Sequence, residues 1–248
     1  MPPILVTDDG PIRIIRMNRP EKKNALTLAM YDAMAQAIED AQANEALRCL
    51  LIAGAPGAFC AGNDLNDFMA MTQEGELGAP ILRFLYALAR NEKPLVAAVS
   101  GVAVGVGTTM LLHCDYVVAG DDARLSTPFV PLGLVPEAAS SLIAPRLMGH
   151  ARAFQLLVMG KPLGAATAKE SGIVNTIVPP AGLDDAALAA AREIAALPPH
   201  AAAASRRLMR GPVEGIIARI DEEAAAFKDR LKSPDAKAAF AAFLGRKR

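Results

Sequence analysis

Apolar positions in the first 180 residues follow two periods, one typical of strands and one of helices. Short β-type runs alternate with stretches in which apolar residues recur at helical spacing. The strands predicted in this way cover residues 4–7, 12–17, 49–53, 95–99, 116–119 and 173–178. The first two are joined by a hairpin turn at Asp8-Asp9-Gly10. Strands that alternate with helices predict an α/β fold.

Helical spacing is clear at several places along the chain. Thr27 is a favourable N-cap for a helix that runs to Ala43, residues 81–89 predict another, and a short buried helix follows Gly107. From residue 183 onward helix formers dominate. One apolar stripe in this region consists of Ile216, Ile220, Ala224, Phe227 and Leu231. Such a stripe packs either on the protein's own core or on a partner subunit.

Composition and charge narrow the class of protein. Apolar residues make up 52% of the 248 residues, enough for a sizeable core. Lys and Arg number 26, as do Asp and Glu, and this balance argues against a protein that coats nucleic acid. Cys49, Cys60 and Cys114 lack the spacing of a disulfide framework or a thiolate zinc site. No signal peptide or membrane-spanning run is visible, which predicts a cytoplasmic protein.

Two glycine-rich loops, each after a predicted buried strand, are the first candidates for chemistry. Gly105-Val106-Gly107 does not fit the dinucleotide-binding template, because Met110 stands where the third glycine should be. The loop either packs a buried helix closely or offers bare N–H groups to a ligand. Segment 58–65 has the same character. Together the two loops could supply the two N–H donors of an oxyanion hole.

Three segments resemble the crotonase, or enoyl-CoA hydratase/isomerase, superfamily. They are Asn18-Arg19-Pro20 with Asn24-Ala25-Leu26, residues 58–65 and residues 93–107. The resemblance covers nearly the whole chain. It implies a spiral core of ββα-like units with an acyl-CoA site, expected over residues 1–195, and a C-terminal helical oligomerisation region over residues 196–248. It also implies acyl-coenzyme A thioesters as substrates, no separate cofactor or metal, and a homotrimer or hexamer.

The resemblance also implies roles for particular residues. The backbone N–H groups of Asn63 and Val106 would hold a thioester enolate. A hydratase of this superfamily uses two glutamates, but the matching positions here are Thr109 and Phe129, which cannot transfer a proton at neutral pH. Glu137 instead matches the proton shuttle of the Δ3,Δ2-enoyl-CoA isomerase branch. From the residues alone, the alternative for Glu137 is a solvated carboxylate at a helix N-terminus.

Coenzyme A binding is expected mainly at the backbone of the same loops. The residues that the resemblance indicates for substrate and coenzyme A are Lys23, Ala25, Ala61, Gly62, Asn63, Asp64, Leu65, Gly105 and Phe129. The phosphates need basic side chains, and the candidates are Lys22, Lys23 and Lys228. The polar stretch 66–79, with Asp67, Glu74 and Glu76, is predicted as a solvated loop or a lid over the acyl pocket.

The sequence therefore predicts an isomerase that moves the double bond of an enoyl-CoA from Δ3 to Δ2. Two alternatives remain open. One is an enoyl-CoA hydratase of fatty acid β-oxidation. The other is a non-catalytic relative that binds acyl-CoA or RNA, for which Arg206, Arg207 and Arg210 form a small basic patch, although the balanced charge disfavours nucleic acid. His113 is predicted to be a core histidine, and His150 and His200 to lie at helix termini.

Overall fold

Residues 1–74 and 77–245 are described by a computed structural model. Its strands are β1 (Ile4–Asp9), β2 (Ile12–Met17), β3 (Cys49–Gly54), β4 (Leu95–Val99), β5 (Val102–Val104), β6 (Tyr116–Gly120), β7 (Arg124–Ser126), β8 (Leu163–Gly164) and β9 (Thr176–Val178). Its helices are α1 (Leu28–Ala43), α2 (Leu65–Glu74), α3 (Ala79–Arg90), α4 (Val106–Thr109), α5 (Ser140–Met148), α6 (His150–Leu157), α7 (Ala165–Glu170), α8 (Leu183–Ala195), α9 (Pro199–Arg210), α10 (Val213–Leu231) and α11 (Pro234–Gly245).

The strands form two sheets. The larger has the order β1-β2-β3-β4-β6-β9, and all its pairs are parallel except the β1–β2 hairpin. The smaller sheet has the order β5-β7-β8, in which β5 and β7 are parallel. The chain passes repeatedly from the larger sheet to the smaller one, so β4 precedes β5 and β6 precedes β7. This alternation is the ββα repeat that the sequence predicts.

Isolated bridges extend the smaller layer toward the N-terminal half. Cys60 bridges Ala103 in β5, and Asn63 bridges Leu26. The segment after β3 therefore lies beside the segment after β4, although more than 40 residues separate them in sequence. This juxtaposition brings the two glycine-rich loops together.

Both faces of the larger sheet are buried, as is usual for parallel sheets. In β3, Leu50 and Ile52 belong to the main core, which also contains residues of α1 and α3. Cys49 and Leu51 point to the other face and belong to a second cluster, which α8 covers with Leu183, Ala187, Ala191 and Ala195. The alternation follows from the two-residue period of a strand.

The structure differs from the sequence-based predictions in a few elements. The stretch predicted as a polar loop begins with helix α2, while Glu76 lies outside the described residues. The last strand covers only Thr176–Val178 of the predicted 173–178, and β1 continues to Asp9, so the hairpin turn falls at Gly10.

The C-terminal helices confirm the predicted change to helical structure. The stripe on α10 packs on the protein's own core, since Ile220, Phe227 and Leu231 join the main cluster. The division of the chain at residues 195 and 196 stays a prediction. In the described ranges no helix combines the length and the apolar character that a membrane crossing requires.

Candidate active site

A cavity of about 450 Å³ lies where the two glycine-rich loops meet the segment before α5 and the last two helices. It is lined by Ala61, Gly62, Asn63, Leu65, Phe68, Val104, Gly105, Val106, Pro128, Phe129, Pro131, Leu132, Leu134, Glu137, Phe227, Ala239, Phe240 and Ala242. Most of these residues are apolar. Glu137 is the one carboxylate in this lining, which consists of described residues only.

Two backbone N–H groups at the cavity wall are unpaired. Asn63 and Val106 both line the cavity, and neither N–H has a hydrogen-bond partner within residues 1–74 and 77–245. Val106 is the first residue of α4, whose first N–H groups have no acceptor inside the helix. Gly62 allows the loops to approach, because a Cβ there would lie 3.0 Å from the Val104 carbonyl oxygen. Two unpaired donors in one cavity wall are what an oxyanion hole requires. The role that the resemblance implies for Asn63 and Val106 stays a prediction.

Buried contacts hold the first of these loops in place. The Tyr31 hydroxyl hydrogen-bonds to Asn63 Oδ1, and Tyr31 is almost completely buried. Arg19 Nη1 donates to Asp64 Oδ2 at 2.7 Å. Burial opposes ionisation of Asp64, but hydrogen bonds from Arg19 and the Asn66 N–H outweigh it and hold the pKa of Asp64 below its ordinary value. Asp64 therefore stabilises the conformation of the loop without lining the cavity.

Glu137 is half-buried in the wall of the cavity and accepts a hydrogen bond from the Thr109 hydroxyl. Burial raises the pKa of Glu137 to about 8, from an ordinary value of 4.5. The hydrogen bond from Thr109 opposes the rise, and the nearby carboxylate of Glu223 adds to it. A carboxyl group with a pKa in this range can both accept and return a proton near neutral pH.

Three phenylalanines from three helices form the apolar end of the cavity. The ring centroid of Phe68 in α2 lies 4.9 Å from that of Phe240 in α11 and 6.4 Å from that of Phe227 in α10. The wall therefore depends on residues from both ends of the chain. The cavity suits a ligand whose apolar group lies at this end and whose polar group reaches Glu137 and the unpaired N–H groups.

The structure separates the predicted substrate and coenzyme A residues into two groups. The cavity wall contains Ala61, Gly62, Asn63, Leu65, Gly105 and Phe129. The cavity wall does not include Lys23, Ala25 or Asp64. The Lys23 carbonyl accepts a hydrogen bond from Ala61 N at 2.9 Å, and the Ala25 carbonyl accepts one from Arg19. Lys22 and Lys23 are exposed beside this loop, and Lys228 lies on α10.

Other candidates from the sequence have structural partners. Asp67 Oδ2 accepts a hydrogen bond from Leu28 N at the start of α1, 2.8 Å away. Arg206, from the basic patch, is buried and donates to Asp115 Oδ2 at 2.7 Å. His113 is fully buried, as predicted, and burial lowers its pKa to about 4. His150 and His200 lie in the first turns of α6 and α9, also as predicted.

Sequence reasoning missed two kinds of residue at this site. Thr109 was noted only as the position of an absent glutamate, yet its hydroxyl is the partner of Glu137. Phe68, Phe240 and Glu223 were not singled out. A signal existed for Glu223, because its spacing from Ile220 and Phe227 places a carboxylate on the apolar stripe of α10.

Comparison with known proteins decides the family. The family described as enoyl-CoA hydratase/isomerase matches residues 8–248. The chain belongs to this family. Membership of the enoyl-CoA hydratase/isomerase family accounts for the predicted crotonase-like fold. That fold is confirmed by the solved structure of Pseudomonas aeruginosa OdaA, with a TM-score of 0.93, 43% identity and 98% of each chain covered.

Curated relatives in the enoyl-CoA hydratase/isomerase family carry different reaction names. Enoyl-CoA delta isomerase 2 of Rattus norvegicus is 36% identical over 250 residues, which cover 98% of this chain and 64% of the relative. The chain thus spans less than two thirds of that relative's length. A probable enoyl-CoA hydratase of Rhizobium meliloti (strain 1021) is 30% identical over 246 residues, covering 99% of this chain and 96% of the relative.

Proposed function

We propose that the protein is a Δ3,Δ2-enoyl-CoA isomerase in which Glu137 is the proton shuttle. The observation that carries the proposal is a single carboxylate in an apolar cavity whose wall also holds the unpaired N–H groups of Asn63 and Val106. No cofactor takes part, since the coenzyme A thioester is itself the substrate.

The reaction needs one base and one oxyanion site. Ionised Glu137 removes a proton from C2 of a 3-enoyl thioester. The electron pair of the C2–H bond delocalises into the thioester carbonyl, and the negative oxygen accepts hydrogen bonds from the Asn63 and Val106 N–H groups. Protonated Glu137 then delivers the same proton to C4, which leaves the double bond between C2 and C3. Atoms and charge balance, and no other reactant is consumed.

Hydration of the product is the competing reaction. It requires activation of a water molecule as well as proton delivery, which two carboxylates perform better than one. Thr109 holds Glu137 by a hydrogen bond, and Phe129 presents an apolar ring at the other position where a hydratase has a glutamate. Slow hydration is therefore expected beside fast isomerisation.

Three further features belong to this proposal. The chain assembles as a homotrimer or a dimer of trimers, works in the cytoplasm and binds the coenzyme A phosphates through Lys22 or Lys23. The lysines are exposed next to the loop that carries Asn63, because the Lys23 carbonyl pairs with Ala61 N. The acyl group occupies the apolar end of the cavity, against the rings of Phe68 and Phe240.

Turnover of a 3-enoyl-CoA and of a 2-enoyl-CoA, measured side by side, tests the proposal. Wild type should isomerise the first quickly and hydrate the second slowly. Glu137→Gln keeps size and polarity but cannot accept a proton, so isomerisation should fall by roughly 10²–10⁴-fold. Acyl-CoA affinity, measured by calorimetry, should change little. Asp67→Asn is the control, because Asp67 is the second candidate for the base but already accepts a hydrogen bond from Leu28 N.

Each alternative has its own outcome. Fast hydration without isomerisation would replace the proposal by a hydratase. Binding of acyl-CoA without turnover of either substrate would favour the non-catalytic relative. Full isomerase activity in Glu137→Gln, with loss in Asp67→Asn, would move the base to Asp67.

A further inference from the structure

A second carboxylate, outside the cavity wall, contacts the chain just after Glu137. Glu223 lies on the buried face of α10, with 6% of its surface exposed. Its Oε2 accepts a hydrogen bond from Ala139 N at 2.6 Å, and its Oε1 accepts one from Ser141 N at 2.9 Å. One side chain thus binds two backbone groups at the start of α5, where the helix dipole favours a negative charge.

The segment that Glu223 holds has an unfavourable backbone conformation. Ala138 and Ala139 have φ values of 61° and 55°, in the left-handed region. For residues other than glycine this costs about 1–2 kcal/mol each, so such residues persist only where surrounding contacts enforce them. The strain lies directly next to the carboxylate that lines the cavity.

A histidine holds the same segment from the other side. His113 Nε2 lies 2.8 Å from the Ala138 carbonyl oxygen. A carbonyl oxygen only accepts, so Nε2 carries the proton and donates it. Burial lowers the pKa of His113 to about 4, which keeps the ring neutral at the pH of an assay. The peptide groups that follow Glu137 are therefore held between His113 and Glu223.

We propose that Glu223 is a positioning residue for the reaction, since its two hydrogen bonds hold backbone 138–141 in the conformation that presents Glu137 to the cavity. This inference rests on the proposed role of Glu137 as the proton shuttle. It assigns to α10 a positioning function in addition to the contribution of Phe227 to the cavity wall.

Glu223 also acts on Glu137 through its charge. The groups that interact with the Glu137 carboxylate are Tyr31, Cys60, Thr109 and Glu223. Burial raises the pKa of Tyr31 and brings that of Cys60 to about 12, so neither of them adds a negative charge near neutral pH. Burial also raises the pKa of Glu223, but the two backbone N–H groups that it binds favour its carboxylate form. Arg219 faces Glu223 and offsets part of its charge. Loss of the Glu223 charge should therefore lower the pKa of Glu137.

The test compares Glu223→Gln, Glu223→Asp and the matched control Glu222→Gln, an exposed carboxylate one residue away on the same helix. Glu223→Gln retains one acceptor and loses the charge. Glu223→Asp keeps the charge but is one methylene too short. We expect kcat to fall about tenfold to a hundredfold in both, because misplaced catalytic groups cost rates of this order. KM and the Glu222→Gln control should stay near wild type.

The pH profile of kcat separates positioning from a purely structural role. Its midpoint should move to lower pH in Glu223→Gln and stay near wild type in Glu223→Asp. Thermal unfolding establishes the folded fraction, and rates are expressed per folded protein. If either folded variant keeps wild-type kcat and pH midpoint, the inference is wrong. If Glu137→Gln remains active, the proposed function fails instead, so the two failures are distinguishable.

Discussion

Glu137 has two neighbours that act on its ionisation in opposite directions. Burial and the charge of Glu223 favour the neutral acid, and the hydroxyl of Thr109 favours the carboxylate. The resulting pKa of about 8 is well suited to a residue that must take a proton and return it. A more solvated carboxylate would have a lower pKa and would be a weaker base, so it would remove the proton from C2 less readily.

At Val106 the proposed donor is the backbone, so the side chain should matter little. Val106→Ala should be mild. Val106→Pro removes the N–H, and loss of one oxyanion donor costs on the order of 3 kcal/mol of transition-state stabilisation, seen as a lower kcat. Val106 is the first residue of α4, a position where proline is tolerated, so the variant should fold. Full activity in folded Val106→Pro would exclude this donor.

Individual residues show how far the site could be predicted from sequence. Asn63, Val106 and Glu137 were identified by resemblance to a family, and the structure places all three at one cavity. Glu223 lies 86 positions after Glu137, and only tertiary packing brings α10 against the start of α5. A hydrogen bond across that distance leaves no local pattern in the sequence.

Among the secondary structure elements, the six predicted strands and the long helices are present, whereas the short strands β5, β7 and β8 of the smaller sheet were not predicted. The polar stretch after Leu65 was also assigned incorrectly. Segment 66–79 was predicted as a loop from its composition, yet Leu65, Phe68 and Met71 recur at the spacing of a helix face. Phe68 and Met71 belong to the main core, and Leu65 lines the cavity. Asp64 Oδ1 accepts a hydrogen bond from Asn66 N in the first turn. Periodicity was the better guide here, because charged residues are common on the exposed face of a helix.

The last helix depends on one close contact with the loop before α5. A Cβ on Gly133 would lie 2.6 Å from Ala236 N in α11, and Gly133 has a φ of 73°. Gly133→Ala should destabilise the protein by about 1–3 kcal/mol and displace α11 from the cavity. We therefore expect a higher KM for acyl-CoA, measured with unfolding curves for the same sample.

Gly10→Ala is the control for Gly133→Ala. Gly10, in the β1–β2 turn, has a φ of 56° and open space around its Cβ position, so this variant carries a positive φ without the clash. It should lose stability at unchanged KM. An equal rise of KM in both variants would show that α11 does not depend on the contact at Gly133.

For the whole molecule, the proposed assembly predicts that copies meet at exposed apolar side chains. On α9, Leu208 is 83% exposed and Met209 is 88% exposed, whereas the stripe on α10 is already buried in the chain itself. Light scattering should give about three or six times the chain mass of 25.9 kDa. Met209→Asp should lower that mass, and Val6→Asp, at an exposed apolar residue of β1, should not. A stable monomer at micromolar concentration would contradict the proposed assembly.

The stability of the whole molecule should depend on the protonation of its proposed base. The Glu137 pKa is about 8 in the folded protein, against an ordinary 4.5 that applies to the unfolded chain. Between pH 4.5 and pH 8 the folded state therefore holds a proton that the unfolded state has lost. The free energy of unfolding falls as the pH rises through this range. Glu137→Gln removes this loss. Its unfolding free energy should match wild type near pH 4.5 and exceed it by up to about 5 kcal/mol above pH 8.

Urea unfolding near pH 4.5 and above pH 8 measures the difference in unfolding free energy between Glu137→Gln and wild type. The variant Glu222→Gln reports the effect of losing an exposed carboxylate. A gap between Glu137→Gln and wild type that does not change with pH would show that the Glu137 carboxyl group is ordinarily solvated.

The placement of Phe227, Phe240 and Glu223 in the last two helices has a consequence for biosynthesis. A ribosome makes the oxyanion loops and Glu137 first, and it makes α10 and α11 only afterwards. A nascent chain that has already paired its strands therefore has a base whose backbone support is missing and a cavity without its far wall. On the proposed mechanism, we therefore expect catalytic competence to appear only after α10 and α11 have packed against the earlier part of the chain.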